Sequence, residues 1–165
     1  MTTRRICLGT ALLCCVIFSS CSVKEKTIGR GENIHHDDFE YSVQHVEKAE
    51  QIGSLRARGA FLIVEFQVEN RARQVNHRWS NGIAFVVAAN GTQYENEINA
   101  QTELNRVKPF NYKQEHITPA GASESTKLVF DIPQDAETYL KVRGSVLMGD
   151  MFDGDQYRRT RVKLF

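Results

Sequence analysis

Ala60-Phe61-Leu62-Ile63-Val64-Glu65-Phe66-Gln67-Val68-Glu69-Asn70 is the stretch on which the fold turns. In an extended chain successive side chains point to opposite faces, so Leu62, Val64, Phe66 and Val68 share one side. Glu65, Gln67 and Glu69 take the other, after the apolar Phe61 and Ile63. A slip of one residue would carry the whole apolar set into water, which fixes the inward face of this strand. Upstream, Phe39, Tyr41 and Val43 alternate with Glu40, Ser42 and Gln44, and Val46 then falls out of phase. One extra residue restores the phase, so a β-bulge is expected near His45.

The same reading extends to the C-terminal side. Residues 83–89 (Ile-Ala-Phe-Val-Val-Ala-Ala) are apolar on both faces, as in a central strand, and run into Asn90-Gly91, the dipeptide of a tight hairpin, before Thr92-Gln93-Tyr94. Thr126, Leu128, Phe130 and Ile132 alternate with Lys127, Val129 and Asp131 until Pro133. Leu140, Val142 and Val146 follow, and then Thr160, Val162 and Leu164 alternating with Arg159, Arg161 and Lys163. Six or seven short strands separated by turns predict an all-β chain folded as an antiparallel β-sandwich. Residues 95–116 stay open between two readings. One is a short helix with Tyr94, Ile98 and Leu104 on one face; the other is a loop crossing between the sheets and pinned by Phe110.

The chain has 165 residues, with 21 Lys+Arg against 20 Asp+Glu. That length and mixture suit one globular domain, and a net charge of +1 supplies no basic field for nucleic acid. Cys7, Cys14, Cys15 and Cys21 all lie at the N-terminus, so the domain itself has no thiol for a disulfide, zinc site or nucleophile. Arg4 and Arg5 precede an apolar run from Ile6 to Phe18 and the small residues Ser19 and Ser20, the layout of a secretory signal peptide over 1–20. The run is too short for a membrane span.

Phe18-Ser19-Ser20-Cys21 resembles the lipobox of bacterial lipoproteins. The resemblance implies that Cys21 is acylated on sulfur and becomes the mature N-terminus, which holds the domain on membrane lipid. Ser22 stands where an inner-membrane lipoprotein commonly has Asp, which favours the outer membrane in a cell with two. Thr3-Arg4-Arg5 leaves general and twin-arginine export both open. The polar run 21–38 is expected to be a flexible linker, with the domain at 39–165.

Four groups of residues together resemble the immunoglobulin-like domain of unassigned function found in many bacterial secreted proteins and lipoproteins. They are Phe39-x-Tyr41-x-Val43-x-x-Val46-Glu47, the stretch Gly59 to Asn70, Asn90-Gly91-x-x-Tyr94, and Pro119-Ala-Gly121-x-Ser123 with residues 128–133. The resemblance implies an immunoglobulin-like sandwich without an inter-sheet disulfide, and carries over no catalytic residue.

The candidate chemistry is thin. His35-His36-Asp37-Asp38 offers ligand types for a transition metal, but neighbours on one chain rarely converge, and His45, His77 or His116 would have to join them. Asp150, Asp153 and Asp155 surround Gly154 without the spacing of a calcium loop. Gly121-Ala-Ser123-Glu-Ser125 lacks the closing Gly of a nucleophile elbow. Arg56, Arg58, Arg71, Arg73 and Arg78, and Arg158, Arg159, Arg161 and Lys163, suit either a solvated surface or a grip on phosphate. Trp79 suits core packing or an exposed anchor. The expected function is a membrane-anchored envelope lipoprotein acting as a non-catalytic protein-binding or assembly module, with a small-ligand or metal-binding lipoprotein as the alternative. No metal, cofactor or catalytic residue is assigned, the partner-binding residues are unknown, and the expected partners are membrane lipid through Cys21 and an envelope or extracellular protein.

Overall fold

The computed structural model describes residues 25–143 and 157–165. Two sheets form the sandwich. One holds β2 (Asn33–His36), β3 (Phe39–Ile52), β4 (Leu55–Asn70) and β9 (Ser123–Ile132), in that order and antiparallel. The other has the order β1-β11-β10-β6-β7, from β1 (Lys26–Ile28), β11 (Thr160–Lys163), β10 (Thr138–Val142), β6 (Ala84–Ala88) and β7 (Gln93–Tyr94). In this second sheet only the β1–β11 pair is parallel. A two-stranded ribbon of β5 (His77–Ser80) and β8 (Glu115–Thr118) lies between them at one end.

The quoted stretch occupies the middle of the first sheet. Leu62, Val64, Phe66 and Val68 are all 0% exposed and meet Val86, Leu140 and Val162 of the other sheet in the main core. The bulge falls where the phase break placed it, with the register shifting between Val43 and His45. The Asn90-Gly91 hairpin forms with Gly91 at φ +86°, a conformation that a residue with a Cβ adopts only with strain. Its turn is closed by Gly91 N–H donating to the Ala88 carbonyl at 2.8 Å.

Residues 95–116 resolve as a helix, α1 (Ile98–Val107), followed by a loop. The buried side is Ala100, Gln101 and Leu104, whereas Ile98 points outward. The helix forms because the first sheet has a second apolar patch on its outer side. Phe61, Ile63, Val129 and Ile52 pack there against Ala100 and Leu104, with Phe110 alongside. It also closes the free edge of β9. Glu97 N–H and the Asn96 amide reach the Val129 carbonyl at 2.7 and 3.1 Å, and the Gln101 amide reaches the Lys127 carbonyl. An edge strand without such cover is a template for pairing with other chains.

The expected linker over 21–38 is corrected in its described part. β1 pairs with β11, β2 pairs with β3, and Ile28 and Ile34 sit in the main core at 5% and 1% exposure. Two isolated isoleucines suffice because the neighbouring strands supply the backbone hydrogen bonds. Paired strand is therefore present from Lys26 onward, ahead of Phe39.

Phe39, Asn70, His77, Ile83 and Arg143 gather at one end of the sandwich, here called the base. The β3–β4 hairpin and the Glu103 side of α1 lie at the other. Asn70 ties the base together from a fully buried position. Its amide donates to the carbonyls of Val75 (2.7 Å) and Thr118 (2.9 Å), and its Oδ1 accepts from Ala72 N–H at 3.0 Å. Asn70→Ala leaves these backbone groups without partners, each at about 1–3 kcal/mol. Urea denaturation should show a loss of about 3 kcal/mol; a loss under about 1 kcal/mol would mean that water replaces the amide.

Candidate functional site

Among the described residues, polar side chains of catalytic type meet at the ribbon of the base. Alternation along β5 and β8 turns His77 and Trp79, and His116 and Thr118, to the interior. The His116 ring lies on the Trp79 indole with centroids 3.8 Å apart and planes 5° from parallel. Its Nδ1 faces Glu124 Oε1 at 3.0 Å and its Nε2 faces Asn81 Oδ1 at 3.0 Å. The Asn81 amide nitrogen donates to the Lys113 carbonyl at 2.8 Å, which sets the amide's orientation. Both ring nitrogens of His116 thus face side-chain oxygens. The other Glu124 oxygen accepts from Thr118 Oγ1 at 3.4 Å, and Thr118 Oγ1 accepts from Trp79 Nε1 at 2.9 Å. Lys113 adds an ion pair to Glu124 at 2.9 Å. Burial raises the Glu124 carboxyl, but the bonds from His116 and Lys113 outweigh it and hold the group below its ordinary value.

This is the geometry of an oriented imidazole, but His116 is 2% exposed and both its nitrogens are engaged. General base catalysis needs a ring nitrogen within reach of substrate. The network joins β5, β8 and β9 and closes the base. On the other side of the ribbon the His77 ring stacks on Phe39 at 3.8 Å, and its Nε2 meets the Tyr41 hydroxyl at 3.1 Å. Burial, aided by the nearby His36, lowers the His77 pKa from 6.5 to about 4.

The residues singled out in the sequence fall in different places. His35 is exposed beside Glu40 at 3.0 Å, whereas His36 is buried, so the strand sends the two rings to opposite sides. Glu40 is itself buried and is held by Arg71 at 2.7 Å, by His35 and by the Asn33 amide. Asp37 lies in the β2–β3 turn at φ +51°. Among the described residues no group of three or more His, Cys, Asp or Glu is placed to hold a metal ion. Ser123 and Ser125 lie on β9 opposite Glu69 and Gln67, away from any free imidazole nitrogen of His116. Trp79 is a core residue at 4% exposure. Arg58 and Arg71 stand about 40 Å apart along β4, so the first arginine group is not one surface. Cys21 and the carboxylates Asp150, Asp153 and Asp155 lie outside the described residues, as does Val146.

Two adjoining grooves at the base meet at Arg143. One, of about 460 Å³, is lined by Phe85, Gln93, Lys141, Val142, Arg143 and Arg158. The other, of about 290 Å³, runs past Arg78, Trp79, Gly82 and Ile83. The Arg143 guanidinium lies over the Phe85 ring at 4.4 Å and pairs with Glu95. Nothing in the spacing of Arg78, Lys141, Arg143 and Arg158 along the sequence announces their convergence.

The His77 shift has a defined sign. Between about pH 6.5 and 4 the unfolded chain binds a proton that the folded chain does not, so stability falls as pH drops through that window. The loss should reach about 2–3 kcal/mol, read as a falling urea midpoint, and His77→Gln should flatten it. An unchanged slope in the variant would exclude His77 as the source. Glu124→Gln, which removes the charged partner of His116, should cost about 2–4 kcal/mol at neutral pH in the same assay; a loss below about 1 kcal/mol would mean that the pair contributes little.

Comparisons place this architecture among known proteins. The yjhA protein of Bacillus subtilis superposes with a TM-score of 0.59 at 14% identity, over 83% of this chain and 98% of that one. The secreted protein MPT63 of Mycobacterium tuberculosis gives 0.55 at 11% identity, over 86% and 99%. The ycdA protein of Bacillus subtilis, described as a candidate lipoprotein, gives 0.56 at 11%, over 80% of this chain and 38% of that one. At such identities the likeness is one of fold. A search of curated protein sequences finds no match. The family model that matches residues 28–151 begins at Ile28, within β1, and names no catalytic activity. On that match the chain belongs to the family of the domain of unknown function DUF4352.

Proposed function

We propose that this chain is an extracytoplasmic lipoprotein, held on its membrane by acylated Cys21, whose sandwich binds an envelope or extracellular protein without chemistry of its own. The lipobox-like Phe18-Ser19-Ser20-Cys21 supports the anchor. The likeness of the domain to a secreted protein and to a candidate lipoprotein supports the compartment. Ser22 favours an outer membrane where there are two.

The observation that carries the binding role is the β3–β4 hairpin. β9 pairs with β4 only from Ala60 onward, and of the stretch before it only Leu55 and Arg56 are matched to β3, so the end of the hairpin runs past the sheet. A projecting ribbon has little to bury, yet this one is braced. The Glu103 carboxylate of α1 accepts from Ser54 N–H at 2.9 Å and is gripped by Arg106 at 2.7 Å. The Arg106 bond, followed by that of Ser54, lowers the Glu103 pKa to about 2. Gly53 turns at φ +54° against the same carboxylate, where a Cβ would meet Oε1 at 1.9 Å. At its root the Asp131 carboxylate accepts from Arg58 and Gly59 N–H, which leaves the edge at Leu55–Ala57 open to strand addition. A loop held in advance loses little entropy on binding.

A photo-cross-linking residue at Arg56 in native cells should yield one recurrent protein adduct, absent from the same probe at Arg73 and lost in Cys21→Ala. Metabolic palmitate labelling should disappear in Cys21→Ala as well. No protein adduct from Arg56, with the wild type still in the membrane fraction, would sink the binding role while leaving the anchor standing.

A further inference from the structure

We infer that the base of the sandwich docks on the membrane that carries it, with the Arg78–Arg143–Lys141–Arg158 grooves seated on anionic phospholipid headgroups. The inference rests on the lipid-anchor reading of Cys21.

Chain length is the first argument. Glu25 bonds Lys141, which lines the larger groove, at 2.5 Å, and pairs with Arg161 at 3.2 Å. Only residues 22–24 separate Cys21 from Glu25. At full extension that span reaches about 14 Å. An acylated Cys21 sits at the headgroup layer, so Lys141 and its neighbours cannot stand far above the lipid phosphates. A linker running to residue 38 would have allowed the domain to turn any face to the membrane; three intervening residues do not.

Charge is the second. Among the described residues the walls of the two grooves contain Arg78, Lys141, Arg143 and Arg158 and no carboxylate. Among the described residues Glu25 pairs with Lys141 and is shared with Arg161, and Glu95 pairs with Arg143. Lys26 on β1 and Arg159 in the 3-10 turn before β11 are exposed beside them. Cationic side chains at an anionic leaflet each contribute about 1 kcal/mol, and guanidinium presents a planar fork to phosphate. Val75, 62% exposed, and Ile117, 51% exposed, lie on the ribbon segment at the same end and add apolar contact. The opposite end carries the β3–β4 hairpin, so docking by the base turns that hairpin away from the bilayer.

Trp79 is the only tryptophan and lines the smaller groove, which makes it a probe of docking. The full lipidated chain is reconstituted in vesicles of phosphatidylcholine with or without phosphatidylglycerol, containing lipid spin-labelled at the headgroup. Trp79 fluorescence should be quenched only with phosphatidylglycerol and released by high salt. Release is also expected in Arg78→Gln/Lys141→Gln/Arg143→Gln/Arg158→Gln, while Arg78→Lys/Arg143→Lys/Arg158→Lys, which keeps the charge, retains quenching. Equal quenching on both lipids, no quenching on either, or quenching retained in the Gln variant, with the protein still vesicle-bound, would overturn docking and leave the anchor intact. If the wild type instead leaves neutral vesicles in a salt wash, the anchor reading has failed. Docking is then judged with the Cys21→Ala chain by co-sedimentation on phosphatidylglycerol vesicles at low salt. The Gln variant should bind at least about tenfold more weakly there, and equal binding would overturn the proposal.

Discussion

β4 must be buried on two faces in one half and on one face in the other, and the rest of the architecture answers that demand. From Ala60 to Val64 both sides are apolar: Leu62 and Val64 go to the main core, and Phe61 and Ile63 to the outer face. A sheet with Phe61, Ile63 and Val129 open to water would forfeit about 1.5–3 kcal/mol for each side chain left unburied. Helix α1 covers them and, in the same position, occupies the edge carbonyls of β9. From Glu65 to Glu69 the outer face turns polar and no cover is needed. The helix ends at Val107 before Pro109, and the loop beyond is held by Asn105 Oδ1, which accepts from Phe110 and Tyr112 N–H.

The base solves a different problem. Where two sheets meet a ribbon, backbone groups end in the interior, and a domain without cysteine has no disulfide to hold them. Asn70 supplies three bonds from one side chain. Rings then fill the space between, His77 on Phe39 and His116 on Trp79. Imidazoles suit these positions because each stacks as an aromatic ring while its nitrogens satisfy neighbouring oxygen groups. The result is a polar cluster of catalytic residue types whose hydrogen bonds are directed inward, and it binds the three strand systems to one another.

Much of this was legible in residues of strong period. The bulge at His45, the hairpin at Asn90-Gly91 and the alternation of β9 all follow from side chains whose burial repeats over several positions. β1 and β2 escaped because each contributes a single core isoleucine, Ile28 or Ile34, in a polar run, and one residue has no period. Helix α1 was signalled less by its own sequence than by Phe61, Ile63 and Val129, apolar residues on a face that should otherwise have been wet. The candidate site was the least visible part. His116 lies 35 residues from Asn81 and eight from Glu124, and the register of two strands that were not foreseen brings them together. The alternation His77-x-Trp79 and His116-x-Thr118 was the available signal, since it pairs polar with aromatic or hydroxyl side chains on one face of a strand.

The pairing of β1 and β2 changes what the stretch before Phe39 does. As a free linker, residues 21–38 would decouple the sandwich from any anchor. As strands, residues 26–36 become part of both sheets, and Glu25 ahead of them is fixed at a defined corner of the base, beside Lys141 and Arg161. β1 is also the sheet edge and pairs in parallel with β11, so a pull on the N-terminus loads the β1–β11 ladder along its length. Ladder bonds loaded together in shear share the force, whereas a strand peeled from one end breaks them singly. With an acylated Cys21, the geometry that keeps the domain close to the membrane would also be the geometry best suited to resist being drawn away from it.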